Sequence, residues 1–302
     1  MINVLFGLDE HYAKYCATTI ISILRNHKVQ SDQHKIHFFF LGNLSKNSKE
    51  RLISLNQIQP FEYSFLEVDT KEFIGLPKTP AHISSIATYN RLLTTRLLPK
   101  HVNKIIYLDC DLILNGDIDK IWNLDISNYL LAAVKDSHIE DYFNAGVIFL
   151  NLKSLRDFNF YSKWKDFIIK HPDISKIKNA DQDILNAVIT KGKVLFLPGY
   201  YNYRQYRPPM DGKMIVIHYC SCKPWEILCW YNKYLKGLYW QYTDVNPWKI
   251  NSKINRFLSY IKSFKFLFNI NRLIIFLTIR LFKDETRHRF REKFMRKNNT
   301  LI

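Results

Sequence analysis

Apolar residues fall along this chain in short runs separated by stretches of helical spacing, and that alternation sets out an α/β layout. Residues 2–8 form an apolar run that ends at Asp9, and residues 12–25 carry the spacing of a helix. A second run occupies 37–41. Ser45, with Asn47 and Ser48, then opens a polar helix that reaches about residue 57, and 63–68 reads as a third strand. Residues 88–98 have helical spacing through Leu92, Leu93, Leu97 and Leu98 and stop at Pro99, which cannot continue a helix. Runs at 104–108, 129–134 and 145–150 predict three more strands, and Asn151 can cap a helix that starts at Leu152. Residues 181–190 read as a helix ending before Gly192, and 194–197 and 214–217 as two further short strands. Strands alternating with helices predict an α/β fold with a mixed, mostly parallel sheet. In such sheets the ligand crevice lies beyond the carboxyl ends of the strands. Asp9, Asp109 and His218 each stand just past such an end, so three distant positions are expected to converge there.

One interruption of this pattern carries chemistry. Asp109, Cys110 and Asp111 sit between the apolar runs 105–108 and 112–114. Side chains at i and i+2 leave an extended chain on the same side, so the two carboxylates face one way and Cys110 the other. Two adjacent anions in an apolar strand are costly unless something pairs them. A divalent cation with a preference for oxygen ligands is the obvious partner, and such a cation commonly serves a phosphate-bearing substrate. Taken alone, the pair could equally be a turn acid beside an exposed strand-end acid.

Glycine is scarce, at nine residues, and neither G-x-G-x-x-G nor G-x-x-x-x-G-K occurs. A dinucleotide dehydrogenase or a P-loop ATPase is therefore disfavoured, and phosphates would be neutralised by metal and basic side chains. The chain of 302 residues, 47% hydrophobic and 15% aromatic, has the composition of a globular protein with a substantial core. Residues 1–6 lack the basic and apolar regions of a signal peptide, so the first strand is expected to begin almost at Met1. The five cysteines, Cys16, Cys110, Cys220, Cys222 and Cys229, are odd in number and unevenly spaced, which fits a reducing cytoplasm better than a disulfide framework. His218 with Cys220, Cys222 and Cys229 could also be read as a zinc set, but the Cys-x-Cys spacing is atypical.

The net charge is +17, and residues 249–302 hold seven Lys, seven Arg and three acids, a net of +11. Among those charges lie Phe257, Leu258, Tyr260, Ile261, Phe264, Phe266, Leu267 and Phe268, then the apolar run 273–277. This pattern predicts a basic amphipathic tail that lies on an anionic membrane surface. Asn269, Asn271, Arg272 and Arg280 break the apolar run before it is long enough to span a bilayer. The density of Phe, Leu and Ile favours lipid over a nucleic-acid backbone, so no nucleic-acid partner is expected.

Four further stretches stand in order around the acidic triplet: 84–91 (Ser84 to Arg91), 142–147 (Tyr142 to Val147), 181–186 (Asp181 to Asn186) and 218–225 (His218 to Trp225). Together they resemble family 8 glycosyltransferases, above all the bacterial lipopolysaccharide galactosyl- and glucosyltransferases. The likeness runs from Met1 to about Trp225. It implies a GT-A fold, a UDP-hexose donor (UDP-galactose or UDP-glucose), Mn²⁺, and retention at the anomeric carbon. By that resemblance Asp109, Asp111 and His218 match the metal ligands; two carboxylates and an imidazole suit Mn²⁺ better than Mg²⁺. Lys223 matches a lysine that closes over the diphosphate. Asp9, His11 and Tyr12 match the nucleoside pocket, with His11 where the family often has Asn. Arg91, Asp136, Asn144, Ala145, Asp181 and Gln182 match donor-sugar contacts, and Cys110 falls within the nucleotide-binding triplet. Gln182 matches the residue on the reacting face of the sugar, with Asp181 and Asp183 beside it. A carboxamide is a poor nucleophile, so front-face attack by the acceptor is favoured over double displacement, with Asp183 the alternative nucleophile.

The loop between Asp136 and Asn144 and the segment between Val194 and His218 are shorter than in the better-known relatives, so the acceptor site is expected to be more open or to be completed by Tyr200, Tyr201, Tyr203 and Tyr206. A change of sequence character near 246–250 predicts a division into a catalytic domain at 1–246 and a membrane-associating tail at 247–302, and a basic tail is also typical of the family the chain resembles. The acceptor is expected to be a glycolipid or oligosaccharide such as a lipopolysaccharide core. The enzyme would then be cytoplasmic and peripheral on the inner face of the bacterial cytoplasmic membrane.

Overall fold

The runs at 2–7 and 36–41 are apolar at nearly every position because both of their faces are covered, as expected for parallel strands. The computed structural model describes residues 1–28, 34–76, 85–136, 141–173, 177–205, 207–220, 222–226, 229 and 231–251. In chain order the elements are β1 (Ile2–Gly7), α1 (Ala13–Asn26), β2 (Ile36–Leu41), α2 (Lys46–Ile53), β3 (Glu62–Leu66), a 3-10 segment (Ile86–Leu93) that runs into α3 (Thr94–Leu97), β4 (Lys104–Leu108), β5 (Leu112–Leu114), α4 (Asp119–Trp122), β6 (Leu131–Lys135), β7 (Phe143–Asn151), α5 (Leu152–Asp157), α6 (Phe160–Lys170), α7 (Asp181–Val188), β8 (Val194–Leu197), β9 (Val216–His218) and α8 (Lys233–Trp240).

Seven strands form one sheet in the order β3-β2-β1-β4-β7-β6-β8, and β5 pairs with β9 in a separate ribbon. The pairs β1–β2, β1–β4, β2–β3 and β6–β8 are parallel, whereas β7 runs antiparallel to both β4 and β6. That reversal matters for the site. It brings the start of β7, at Phe143 and Asn144, to the edge where β1, β4 and β6 end. Side chains along each strand serve two cores in turn: Val4, Phe6, Phe38, Phe40 and Ile106 pack on the α1 side. Leu5, Phe39 and Tyr107 pack on the other side with Leu92, Trp164 and Ile184.

Ser45 caps α2 by accepting from the Ser48 N–H, and Asn151 caps α5 by accepting from the Ser154 N–H. The segment expected as a helix at 88–98 is instead a 3-10 run with one α turn at its end. Thr88, Thr94 and Thr95 lower α propensity there, and Asn90 is held by the Leu41 carbonyl (2.8 Å). The third strand ends at Leu66, two residues early, because the Val68 N–H leaves the ladder for Asn43 Oδ1 (3.0 Å). The last strand begins at Val216 rather than 214, since the Met214 N–H closes a tight turn onto Gly212 O (3.1 Å). Strand β5 and helices α6 and α8 lie in stretches the sequence pattern left unassigned.

Beyond α8 the chain packs back on α1. Asn246 Nδ2 donates to Lys14 O (2.8 Å) and Thr18 Oγ1 (3.0 Å), Arg25 pairs with Asp244, and Ile250 is buried. Packing on the α/β unit therefore continues through Ile250, past residue 246. The rest of the basic tail, residues 252–302, lies outside the described residues. Among the described residues no helix is long and apolar enough to cross a membrane.

Candidate active site

Strand β4 delivers the acidic triplet. The Asp109 N–H is held by Gly146 O (2.8 Å) and the Tyr219 N–H by Asp111 O (2.9 Å), so β7 and the β5–β9 ribbon clamp the triplet from two sides. The ribbon register sets Leu112 opposite His218. His218 Nε2 consequently lies 3.2 Å from Asp111 Oδ1 and 3.6 Å from Asp109 Oδ2. One ligand atom from each of the three residues falls within 4.8 Å of the others. Lys223 Nζ is ion-paired with Asp111 and donates to Tyr219 O (3.1 Å). Burial alone would raise the Asp111 carboxyl, but Lys223 and His218 outweigh it and hold it well below the usual carboxylate range. Burial opposes charge on His218, yet Cys220 and Asp111 push it up to about 10.

Cys110 points away, into the core against Gly7 O (3.9 Å) and close to Cys16. Cys110→Ala is therefore expected to leave divalent-cation affinity within about twofold in a calorimetric titration, against the ~10- to 100-fold loss that follows removal of a ligand's support; a loss on that larger scale would put the Cys110 side chain on the carboxylate face.

A buried arginine organises the neighbouring groups. Arg91, on the 3-10 segment, pairs with Asp181 through Nε (2.7 Å) and with Asp109 through Nη2 (2.9 Å), and it donates to Ala145 O. Its guanidinium lies 4.3 Å over the Tyr107 ring, whose hydroxyl also bonds Asp109 (3.0 Å). Thr88 donates to the other oxygen of Asp181, and burial pushes this carboxyl up to about 6 against the pull of Arg91.

Gln182 stands at the start of α7, two residues after Ala180, whose φ of 48° is costly for a residue with a Cβ. Its Oε1 accepts from Asn144 Nδ2 (3.0 Å) and from the Ala145 N–H (2.9 Å), and its Nε2 reaches Asp136 Oδ2 (3.4 Å). Arg91, Asp109, Asp111, Asp136, Asn144, Ala145, Asp181, Gln182, His218 and Lys223 are thus joined by a continuous set of contacts. Asp183 lies apart from that set: its carboxylate takes the Lys178 and Asn179 N–H groups (2.7 and 2.9 Å) and the Tyr142 hydroxyl, so it anchors the loop before α7. Asp9 caps the entry to α1 by accepting from the Tyr12 N–H (2.9 Å), with His11, Tyr12 and Tyr15 in edge-on ring contact. Trp225 stacks on Tyr15 with centroids 3.7 Å apart.

Two polar residues at the site were not anticipated from sequence. Arg204 clamps Asp136 (3.1 Å), and buried Asn202 sits between Asn144 and His218. Their i, i+2 spacing around an apolar Tyr203 was the available signal. Tyr203 itself faces the core on the α1 side and does not line an open pocket, because the extended backbone alternates and Asn202 and Arg204 take the site side. Tyr206 lies outside the described residues. His27, Asp117 and Asp119 form a second cluster, but Asp117 is committed to His27 (2.9 Å) and the Lys28 and Asp119 N–H groups (3.3 and 3.1 Å), which ties the end of α1 to α4. Among the described residues the cysteines join no such group with His218.

A mixed, mostly parallel sheet with an Asp-x-Asp pair at the carboxyl end of a central strand and a histidine brought across to it defines a GT-A type glycosyltransferase. The solved structure of galactosyltransferase LgtC in complex with donor and acceptor sugar analogs superposes with a TM-score of 0.68 at 23% identity, covering 80% of this chain and 95% of that one. That likeness concerns the fold. The sequence profile of glycosyl transferase family 8 matches residues 3–229, and this chain belongs to that family. It is 32% identical over 254 residues to a Haemophilus influenzae protein carrying a glycosyltransferase name, over 76% of this chain and 74% of that one. An Escherichia coli lipopolysaccharide 1,2-glucosyltransferase is 26% identical, over 83% of this chain and 80% of its own.

Proposed function

We propose that this chain is a retaining hexosyltransferase that moves galactose or glucose from a UDP-sugar to a saccharide acceptor, with Mn²⁺ bound by Asp109, Asp111 and His218. The observation that carries the reading is the meeting of those three side chains beside the Arg91–Asp181 pair and the Gln182 amide. Two features support the fit to a cation. His218 has its Nδ1 engaged by Asn202 (3.0 Å), which leaves Nε2 toward the carboxylates. Gly146 lets the His218 ring lie against the strand beside Asp109, where a Cβ would collide with both side chains. When bound, the cation would supply Lewis-acid neutralisation of the donor diphosphate. Mg²⁺ is the second choice for these ligands.

Lys223, which the fold holds beside Asp111, would place its charge on the departing diphosphate. Asp9, His11 and Tyr12 would hold the nucleoside. Arg91, Asp136, Asn144, Ala145 and Asp181 would orient the sugar hydroxyls. Both lone pairs of Gln182 Oε1 are taken by N–H donors, which argues further against a covalent glutaminyl intermediate. The acceptor hydroxyl then attacks C1 on the face from which UDP leaves: the C1–O(phosphate) bond breaks, the new C1–O bond forms, and the acceptor proton passes to the leaving β-phosphate oxygen. Names of relatives that act on lipopolysaccharide support a lipopolysaccharide or lipooligosaccharide core as acceptor.

A hydrolysis screen of UDP-sugars with Mn²⁺ tests the reading. One UDP-hexose should be consumed in a strictly metal-dependent way, and the absence of both turnover and UDP binding would sink it. The basic tail is proposed to hold the enzyme on the inner face of the bacterial cytoplasmic membrane. Full-length protein should float with anionic liposomes and a 1–251 truncation should not; equal flotation would remove the tail from the proposal.

A further inference from the structure

Beyond its contact with His218 Nδ1, Asn202 touches none of the groups assigned to the metal or the donor except Asn144, yet it is 2% exposed and lies at the centre of the polar network. Its placement is tightly determined. The Tyr203 N–H bonds Val216 O (2.8 Å) and the His218 N–H bonds Tyr203 O (2.9 Å), so the segment that carries Asn202 is stitched to the strand that carries His218. Asn202 Nδ2 donates to Asn144 Oδ1 (2.8 Å), and Asn202 Oδ1 lies 3.0 Å from His218 Nδ1.

The orientation of this amide follows from its neighbours. Asn144 Oδ1 also accepts from the Gly146 N–H (3.1 Å), so the atom it presents to Asn202 is an acceptor. Asn202 must meet it with its NH₂ and must turn its oxygen to His218. His218 Nδ1 must then carry a proton, and Nε2 is the nitrogen that faces Asp111 (3.2 Å). On the far side the same logic continues: Asn144 Nδ2 donates to Gln182 Oε1 (3.0 Å), and Gln182 Nε2 reaches Asp136 Oδ2 (3.4 Å). Each amide in the chain has one permitted orientation.

We propose that Asn202 is a positioning residue that fixes His218 as the Nδ1–H tautomer, presents Nε2 to the cation, and couples that ligand through Asn144 to the donor-sugar side of the site. This rests on the metal-dependent reading above. A side chain that holds the second nitrogen of a ligating histidine typically carries about 10- to 100-fold in metal affinity.

The experiment is a Mn²⁺ titration of the full chain with UDP present, by calorimetry and by electron paramagnetic resonance. Asn202→Ala should weaken Mn²⁺ about 10- to 100-fold. Asn202→Asp, which keeps an acceptor for Nδ1–H, should bind Mn²⁺ at least as tightly as the unmutated chain. Its KM for the donor should nevertheless rise, because it presents only acceptors to Asn144. A packing role alone would weaken both variants alike. ¹⁵N-histidine spectra of the unmutated protein with Mg²⁺ and UDP supply a readout that needs no variant: the His218 proton should reside on Nδ1. Unmutated protein that binds Mn²⁺ while Asn202→Ala binds it equally well, or a proton on Nε2, would overturn the assignment of Asn202 alone. Unmutated protein that binds no Mn²⁺ even with UDP would overturn the metal reading and this inference with it.

Discussion

Asp111→Asn is expected to lower UDP-sugar turnover by about 1,000-fold and to abolish Mn²⁺ binding, the scale set by loss of a charge-stabilising group in an enclosed site. Asp111 is 7% exposed and is the only one of the two aspartates that faces both cations, His218 and Lys223. The amide keeps the shape but loses the charge, so both cations remain near each other without a counter-ion. Removing one partner of a buried pair costs several kcal/mol when nothing can relax. Lys223 is 17% exposed on its side chain and can swing out to water, so a loss nearer about 2 kcal/mol is expected by denaturant titration. If stability fell by that amount while Mn²⁺ affinity stayed unchanged, Asp111 would be only the counter-ion of Lys223.

Gly146→Ala should be almost as damaging, although it adds one methyl group and no charge. A Cβ at this position would lie 2.1 Å from His218 Cε1, 2.6 Å from His218 Nδ1 and 2.8 Å from Asp109 Oδ2. The backbone cannot retreat. Its carbonyl holds the Asp109 N–H (2.8 Å) and its N–H is held by Asn144 Oδ1 (3.1 Å). The His218 ring must therefore move, and it loses its bond to Asn202 and its approach to Asp111. Overpacking of this kind costs about 1–3 kcal/mol. Mn²⁺ affinity should fall about 100-fold, as for loss of a ligand's support. Calorimetry and thermal denaturation check the two effects separately, and a variant with unchanged Mn²⁺ affinity would place the cation elsewhere.

The same glycine shows why part of the site was readable and part was not. Gly146 lies in the stretch 142–147 on which the family resemblance partly rests, but nothing local to that stretch says what the glycine clears. What it clears, the His218 ring, lies 72 positions downstream, and only the ribbon β5–β9 brings it back. That ribbon is three residues on each strand, too short for an alternating pattern to register. Asp109 and Asp111, by contrast, were legible because two acids between apolar runs violate the local pattern at once. Arg91 was matched to the sugar side, yet its links to both Asp109 and Asp181 depend on the 3-10 geometry of Ile86–Leu93 rather than on the α-helix its spacing predicts. Asp183 adjoins Gln182 in sequence but anchors the preceding loop, because successive side chains at a helix start point in different directions.

From its sequence alone this protein was determined to be an α/β chain with a carboxyl-edge site, an acidic pair facing one way, and a basic, aromatic final stretch. Those features follow from periodicities of about two and 3.6 residues and from the charge inventory, which are local or additive properties. The tertiary structure alone decided that β7 runs against its neighbours, so that Asn144 reaches the ends of β4 and β6 and meets Gln182 there from α7. It also decided that Asn202 spans 58 positions to Asn144 and 16 to His218. An amide chain of that kind leaves no periodic trace. Each member is an ordinary polar residue until folding removes water and leaves it one partner on each side, and that loss of alternatives is what turns five scattered side chains into an oriented site.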